Sequence, residues 1–326
     1  MSSSNGVMMT VLGTPIPPTN APPVPAATAK RPMRRKAYGK RRVNWFPLLL
    51  LTPLLVIMVI FFVVPLSRSV VISFFHFSGP GTFDSSQLTI QNYKDFLSSP
   101  FYLGILRRTF MMSLIVTILC VAIGYPVSYY MMQLSGRKQQ IYMFCYLAPW
   151  LINVVVKAFG WTLILSPAGY INTILLNLGI IQTPLHLMYN DFSMIVGLTQ
   201  GEMVFAVMPI LASLVSINPE LRSAAADLGA SRVKTFMRIT LPLSLPGIVA
   251  GSVFVFTMSM AAYTTPALLG GVKVRVMSYI AYQQNTSTLN FPFGSAVSVI
   301  LVIFTIVVVQ VYMRAMASGK RKVIFR

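Results

Sequence analysis

The chain has 326 residues, 55% of them hydrophobic and only 10% charged. A soluble domain carries about 25% charged residues, so this composition excludes an ordinary water-soluble globule and points to membrane spans. The net charge of +20 does not describe a nucleic-acid-reading surface, because Lys and Arg gather at the ends of apolar runs, where they act as topology signals.

Residues 1–29 are rich in Pro, Ser, Thr and Ala and carry no charged side chain, a composition too poor in buriable surface to fold. With the basic cluster that follows, from Lys30 to Arg42, they are expected to form a disordered basic tail over 1–42. The uncharged run from Val43 to Ser67 is too long for the apolar core of a cleaved leader, so it reads as a retained first span, over 46–75. Gly79-Pro80-Gly81 marks a loop over 76–104. Further spans are expected over 105–134, 141–165, 192–217, 245–269 and 293–313, with an external loop over 166–190. The whole is an all-α, polytopic membrane protein: a six-helix domain over 43–317 and a short basic tail over 318–326.

With the N-terminus inside, most of the 26 Lys and Arg fall on one side. Only Arg68, Lys94, Arg107, Arg108, Lys157, Lys273 and Arg275 fall outside or within a span. This bias puts both termini and the polar stretch 218–244 in the cytoplasm.

That polar stretch organises the second half of the chain. Asn218 can cap a helix, Pro219 suits its first position, and Glu220 sits near the positive end of the helix dipole. Ala224, Ala225 and Ala226 favour helix, and Gly229 stands where the helix turns left-handed and stops. Ser231 can cap a second short helix, and Pro242 and Pro246 are expected to break the run before the next span. Ala224-Ala225, Asp227-Leu228-Gly229-Ala230-Ser231, Ile239, Leu241-Pro242 and Pro246-Gly247 together resemble the EAA loop of ABC-importer permeases. In that family the loop's short helix docks on a cytoplasmic ATPase. The resemblance therefore implies ATPase-coupling roles for Glu220, Ser223, Ala224, Ala225, Asp227, Leu228, Gly229 and Ala230. The family usually has an acid immediately before the two alanines. Here that residue is Ser223, and Glu220, one turn earlier on about the same face, is placed to substitute.

Weaker motifs narrow the resemblance to spermidine/putrescine-type permeases. They are Asn92-Tyr93, Pro149-Trp150, the run from Val156 to Trp161, Gly169-Tyr170-Ile171-Asn172, the run from Thr265 to Gly271, and Gly294-Ser295-Ala296. The resemblance implies a permease subunit in a bacterial inner membrane that passes a small solute, such as a polyamine, by alternating access. Its implied partners are a cytoplasmic ATPase dimer, a second permease subunit, related or identical, and a periplasmic binding protein. An opine, an amino acid or an aminophosphonate would suit the same machine, and a stand-alone secondary transporter or channel is the reading from another class.

The residues themselves point to no enzyme. Gly319-Lys320 lacks the rest of a phosphate-binding loop. His76 and His186 stand alone in loops, and the serines lack a His/Asp constellation. No cofactor or metal is expected. Cys120 and Cys145 read as small buried apolar residues.

Glu202 falls mid-span with no charged neighbour nearby. A carboxylate at bilayer depth costs at least about 2–3 kcal/mol, so it should face a cavity or a partner. It reads equally as a path-lining residue that attracts an amine or as a structural acid between spans. Lys157, one turn from Trp161, reads as a structural cation or as a path residue, and Asp191, at the outer end of span four, as a weaker candidate to meet substrate. Gly247 and Gly251 put two small residues on one helix face for close packing.

Overall fold

The structure is a computed structural model that describes residues 46–271 and 275–324, with side chains over 51–271 and 275–316. The tail expected over 1–42 and Lys273 lie outside the described residues. The chain divides into two units, residues 1–55 and 56–326. In the first unit the described residues begin helix α1 (Phe46–Met58).

In the second unit α1 widens into a π-turn (Val59–Val63) and continues as α2 (Val64–Ile72). A hairpin follows, β1 (Phe75–Gly79) antiparallel to β2 (Thr82–Leu88), then the short α3 (Gln91–Ser98). The turn expected at Gly79-Pro80-Gly81 is there, as the tight reversal of a hairpin with Gly81 at φ +77°; the strands and α3 around it go beyond the loop expected over 76–104. The Asn92-Tyr93 pair ties α3 back to the end of α2. Asn92 Nδ2 donates to the carbonyls of Ser73 (2.9 Å) and Phe75 (3.0 Å), and the Tyr93 hydroxyl lies 2.6 Å from Ser73 Oγ.

The helices α4 (Pro100–Gln133), α8 (Asp191–Val215) and α11 (Leu241–Ala261) pack against one another and hold the larger core, with Val116, Cys120, Ala206, Ile210, Leu214 and Val255 at its centre. A second core joins α3, α4 and α11 to α12 (Met277–Thr286) and α13 (Phe291–Ile324) through Phe96, Met260, Met277 and Val297. Small residues bring these helices together. A Cβ on Gly251 would lie 3.0 Å from the Ala206 carbonyl, and Ser128 Oγ donates to the Val207 carbonyl at 3.1 Å. The Gly247/Gly251 pair is thus used inside this chain, against α8.

Among the described residues six segments are long and apolar enough to cross a membrane: Leu51–Ile72, Pro100–Gln133, Val154–Asn177, Asp191–Val215, Arg232–Ala261 and Phe291–Met316. The count agrees with expectation, but spans three, five and six differ from it in their bounds. The expected third span is divided into α5 (Gly136–Leu151) and α6 (Val154–Leu165). Pro149 lies within the last turn of α5, and Asn153 restarts the helix by accepting from the Val155 amide at 2.8 Å. The loop after α6 contains α7 (Tyr170–Asn177), and the third apolar segment extends into it.

The prolines expected to break the chain before span five do not break it. The helix runs from Arg232 through a π-turn (Phe236–Thr240) into α11, with Pro242 in its first turn and Pro246 inside. The π-turn of Val59–Val63 likewise precedes Pro65. A proline lacks the N–H that the carbonyl four residues back requires, and its ring crowds that carbonyl. Widening the preceding turn relieves both problems without ending the helix. Span five instead ends at Ala261, and a separate π-turn (Pro266–Gly270) follows. Finally, α13 continues as helix to Ile324, beyond the expected end at Met313.

Candidate functional site

Two constellations are candidates, a polar elbow over 218–244 and a cavity between α6, α8 and the end of α11.

In the elbow, α9 (Glu220–Asp227) begins at Asn218-Pro219. Asn218 Oδ1 accepts from the Glu220 amide at 3.0 Å, and Asn218 Nδ2 donates to Glu220 Oε2 at 3.1 Å. The helix closes in a double backbone bond. The Gly229 amide reaches the Ala226 carbonyl and the Ala230 amide reaches the Ala225 carbonyl, both at 2.9 Å. That is the Schellman pattern, and it needs a left-handed residue at Gly229, whose φ is +77°. Ser231 Oγ then accepts from the Lys234 amide at 3.3 Å and starts α10 (Arg232–Thr235). Arg222 reaches back to Met132 Sδ at 3.6 Å, near the end of α4.

Ala225 is the buried side of this element; Glu220, Ser223, Ala224, Asp227 and Gly229 are exposed, and Ala230 is half-buried. Leu228 is 89% exposed, and Leu221, Val233 and Met237 are exposed near it. A polar helix–elbow–helix therefore carries several uncovered apolar side chains.

The cavity has a volume of about 360 Å³, within the roughly 300–1,000 Å³ of ligand pockets. Glu202 on α8 and Lys157 on α6 both line it, with Trp150, Tyr263, Thr264 and Thr265 among the other walls. Glu202 is 8% exposed and accepts a short hydrogen bond from Ser259 Oγ of α11. A larger, mostly apolar cavity of about 580 Å³ lies beside α4, α5, α6 and α8. Trp161, Cys145, Tyr146 and Thr199 line it, and Trp150 borders both cavities, its ring edge-on to Phe205 at 5.9 Å.

The structure thus brings Glu202 and Lys157 to one cavity and places Trp161 in the next. Asp191 lines neither of these two cavities. It begins α8, where a carboxylate suits the helix dipole, and lies 4.0 Å from Arg108 Nε with both side chains about half exposed. Cys120 is buried as expected. Cys145 is exposed and lines the larger cavity, which corrects the expectation of a buried thiol. Sequence reasoning singled out Trp150 and Thr265 only as parts of short motifs, and it missed Ser259, Tyr263 and Thr264. The available signal was a run of polar residues inside or just after an apolar span, each in need of a partner. Among the described residues no group of three or more His, Cys, Asp or Glu is placed to hold a metal ion.

The chain matches the model of a family described as "Binding-protein-dependent transport system inner membrane component" over residues 120–322. It is 34% identical over 235 residues to the spermidine/putrescine transport system permease protein PotB of Escherichia coli (strain K12), covering 72% of this chain and 85% of that one. The PotB protein of Haemophilus influenzae is 31% identical over 266 residues, covering 82% and 92%. Among solved structures, a bacterial ABC transporter involved in the import of the acidic polysaccharide alginate superposes with a TM-score of 0.71 at 18% identity. The match covers 84% of this chain and 96% of that one, and it is a likeness of fold. A family model over most of the chain and relatives covered nearly end to end lead to one conclusion: this chain belongs to the inner membrane components of binding-protein-dependent transport systems.

Proposed function

We propose that the chain is one permease subunit of an ATP-driven importer for a polyamine, working by alternating access in a bacterial inner membrane. A periplasmic binding protein presents the solute at the outer face, a second permease subunit completes the path, and a cytoplasmic ATPase dimer supplies the energy. Both termini and the 218–244 elbow then lie in the cytoplasm. The observation that carries this reading is the elbow. An eight-residue helix is capped at both ends, leads through α10 and a π-turn straight into α11, and leaves Leu221, Leu228 and Val233 uncovered. Exposed apolar side chains on a polar element mark a docking surface, and a continuous helix behind them transmits a push into the span that packs on α8. Glu220, Ser223, Ala224, Ala225, Asp227, Leu228, Gly229 and Ala230 form that coupling element. Spermidine or putrescine as cargo follows from the similarity to the PotB proteins.

Glu202 and Lys157, with Trp161 nearby, line the path, and Glu202 is the group that meets the amine. The carboxylate is the one acid of the smaller cavity's wall. Leaving such a group in a dry wall costs about 2.5–3.5 kcal/mol, which an entering ammonium offsets. Asp191 lies at the outer end of the same helix, where arriving substrate or binding protein would meet it.

The test is uptake of labelled spermidine into proteoliposomes holding the whole transporter and its binding protein. Glu202→Gln keeps the shape and the Ser259 contact while removing the charge. Uptake is expected to fall roughly tenfold or more, with the melting temperature of the complex little changed, since a charge-assisted contact is worth about 1.5–3 kcal/mol. Unchanged uptake with unchanged stability would remove Glu202 from the path.

A further inference from the structure

The smaller cavity carries two opposite charges that do not pair. Glu202 and Lys157 are the charged side chains of its wall; the rest is apolar, aromatic or hydroxyl-bearing. Glu202 is held by Ser259 Oγ from α11. Among the described residues Lys157 and Glu202 form no ion pair of 4.0 Å or less. In a medium of low dielectric constant an ammonium and a carboxylate across one small space attract strongly. Lysine is the side chain built to close such a gap, because its charge sits at the end of a flexible stem.

We propose that Lys157 is a tethered stand-in for the cargo's amine. Its ammonium shares the cavity with the Glu202 carboxylate and balances that charge until a substrate ammonium enters and takes its place. This rests on the reading of the chain as an importer subunit for a cationic solute.

The chemistry explains why a cationic residue belongs beside a cationic path. An unoccupied carboxylate in an apolar wall attracts any small cation, and sodium and potassium are abundant on both sides of a membrane. A built-in ammonium balances that charge and excludes ions that bring only a point charge. A cargo handed over by a binding protein arrives at high effective concentration. It also brings methylene groups that the aromatic wall of Trp150, Phe205 and Tyr263 covers, so it displaces the tether where a bare ion does not. Specificity is then set as much by what is rejected as by what is bound.

The experiment uses the full transporter in proteoliposomes, with methylammonium and potassium as probes of leak and spermidine as cargo. Lys157→Met keeps the stem and removes the charge. Cargo-independent probe flux is expected to rise roughly tenfold, and to return to the wild-type level in Lys157→Met/Glu202→Gln. Lys157→Arg, which keeps charge and stem, tests the same point without perturbing the fold. Its leak is expected to match wild type, while the KM for cargo rises about fivefold, because a guanidinium fork grips a carboxylate more firmly.

A Lys157→Met transporter that takes up cargo but leaks no more than wild type overturns the proposal. So does a leak that persists in the double variant, or an unchanged KM in Lys157→Arg. Loss of cargo uptake in Lys157→Met without added leak overturns it too, and assigns Lys157 instead to an anionic group on the cargo. If the wild-type complex shows no cargo-stimulated ATP hydrolysis, the importer reading falls and this inference with it. Failure in the variants alone leaves that reading standing.

Discussion

Gly229→Val is expected to leave a folded transporter that hydrolyses ATP without moving cargo. A Cβ at this position meets nothing within 4 Å, so the substitution causes no clash. Its effect comes from the backbone. At φ +77° an L side chain is disfavoured by about 1–2 kcal/mol, and a β-branched one more so. The two bonds from Gly229 and Ala230 back to Ala226 and Ala225 hold only while that left-handed residue is in place. A strain of 1–2 kcal/mol shifts a local two-state geometry by a factor of about 5–30, so α9 loses its fixed angle to α10 and α11. The measurement is cargo transported per ATP hydrolysed, with Gly229→Asn as control, since asparagine tolerates this region. The expected result is a low ratio for valine and a near-normal ratio for asparagine. Normal coupling in Gly229→Val would mean that the elbow does not transmit movement.

Gly247→Val is expected to have the largest effect on stability. A Cβ there would fall 2.5 Å from the Pro209 carbonyl oxygen, 2.5 Å from Ser213 Cβ and 3.0 Å from Ile210 Cα. The backbone of α8 cannot yield as a side-chain tip can, so α11 must move away along its whole contact with α8. Overpacking of this kind costs about 3 kcal/mol, or more where backbone is involved. The same shift would pull Ser259 from Glu202, so the cavity should suffer with the fold. The expected result is a sharp fall in purified yield and in the melting temperature in detergent. A Gly247→Val protein that melts with the wild type would contradict the packing of α11 on α8.

Much of this is legible in the sequence, and for definite reasons. Runs of apolar residues report spans directly, because lipid leaves few alternatives. The 218–244 elbow was legible because each signal sits at a position with a stereochemical duty: Asn218 as a cap, Gly229 in the left-handed region, Ser231 as a second cap. The prolines misled, since proline signals a lost hydrogen bond without saying whether the helix ends or merely widens. At Pro242 it widens. At Pro149, with Asn153 nearby, it ends.

In the sequence the short motifs are a pattern without a reason, and the structure supplies reasons that are mostly architectural. Asn92 holds α3 to the end of α2. Asn172, fully buried, donates to the carbonyls of Ser166 and Leu185 and accepts from the Leu185 amide at 2.7 Å, which pins the loop after α6. Ser193 Oγ donates to the Leu269 carbonyl at 2.8 Å, fixing the turn after α11 on α8. Gly294 admits Asn285, whose Oδ1 would lie 2.5 Å from a Cβ there. What a single sequence could not reveal was which side chains from different spans share a space. Glu202 and Ser259 lie far apart in the chain, as do Lys157 and Thr265, and only the packing of α6, α8 and α11 brings them to one cavity.

The central claim is that residues 218–244 couple this chain to an ATPase. The most direct measurement is ATP hydrolysis by the transporter reconstituted in lipid, after co-purification of this chain with its partner permease and the ATPase. It is made with and without the binding protein and spermidine. The account predicts a stable complex whose hydrolysis rises when both are present, and whose assembly weakens when Leu221 and Leu228 are changed to Asp. Failure of any ATPase to associate, with the partner permease present, would contradict the coupling role of the elbow.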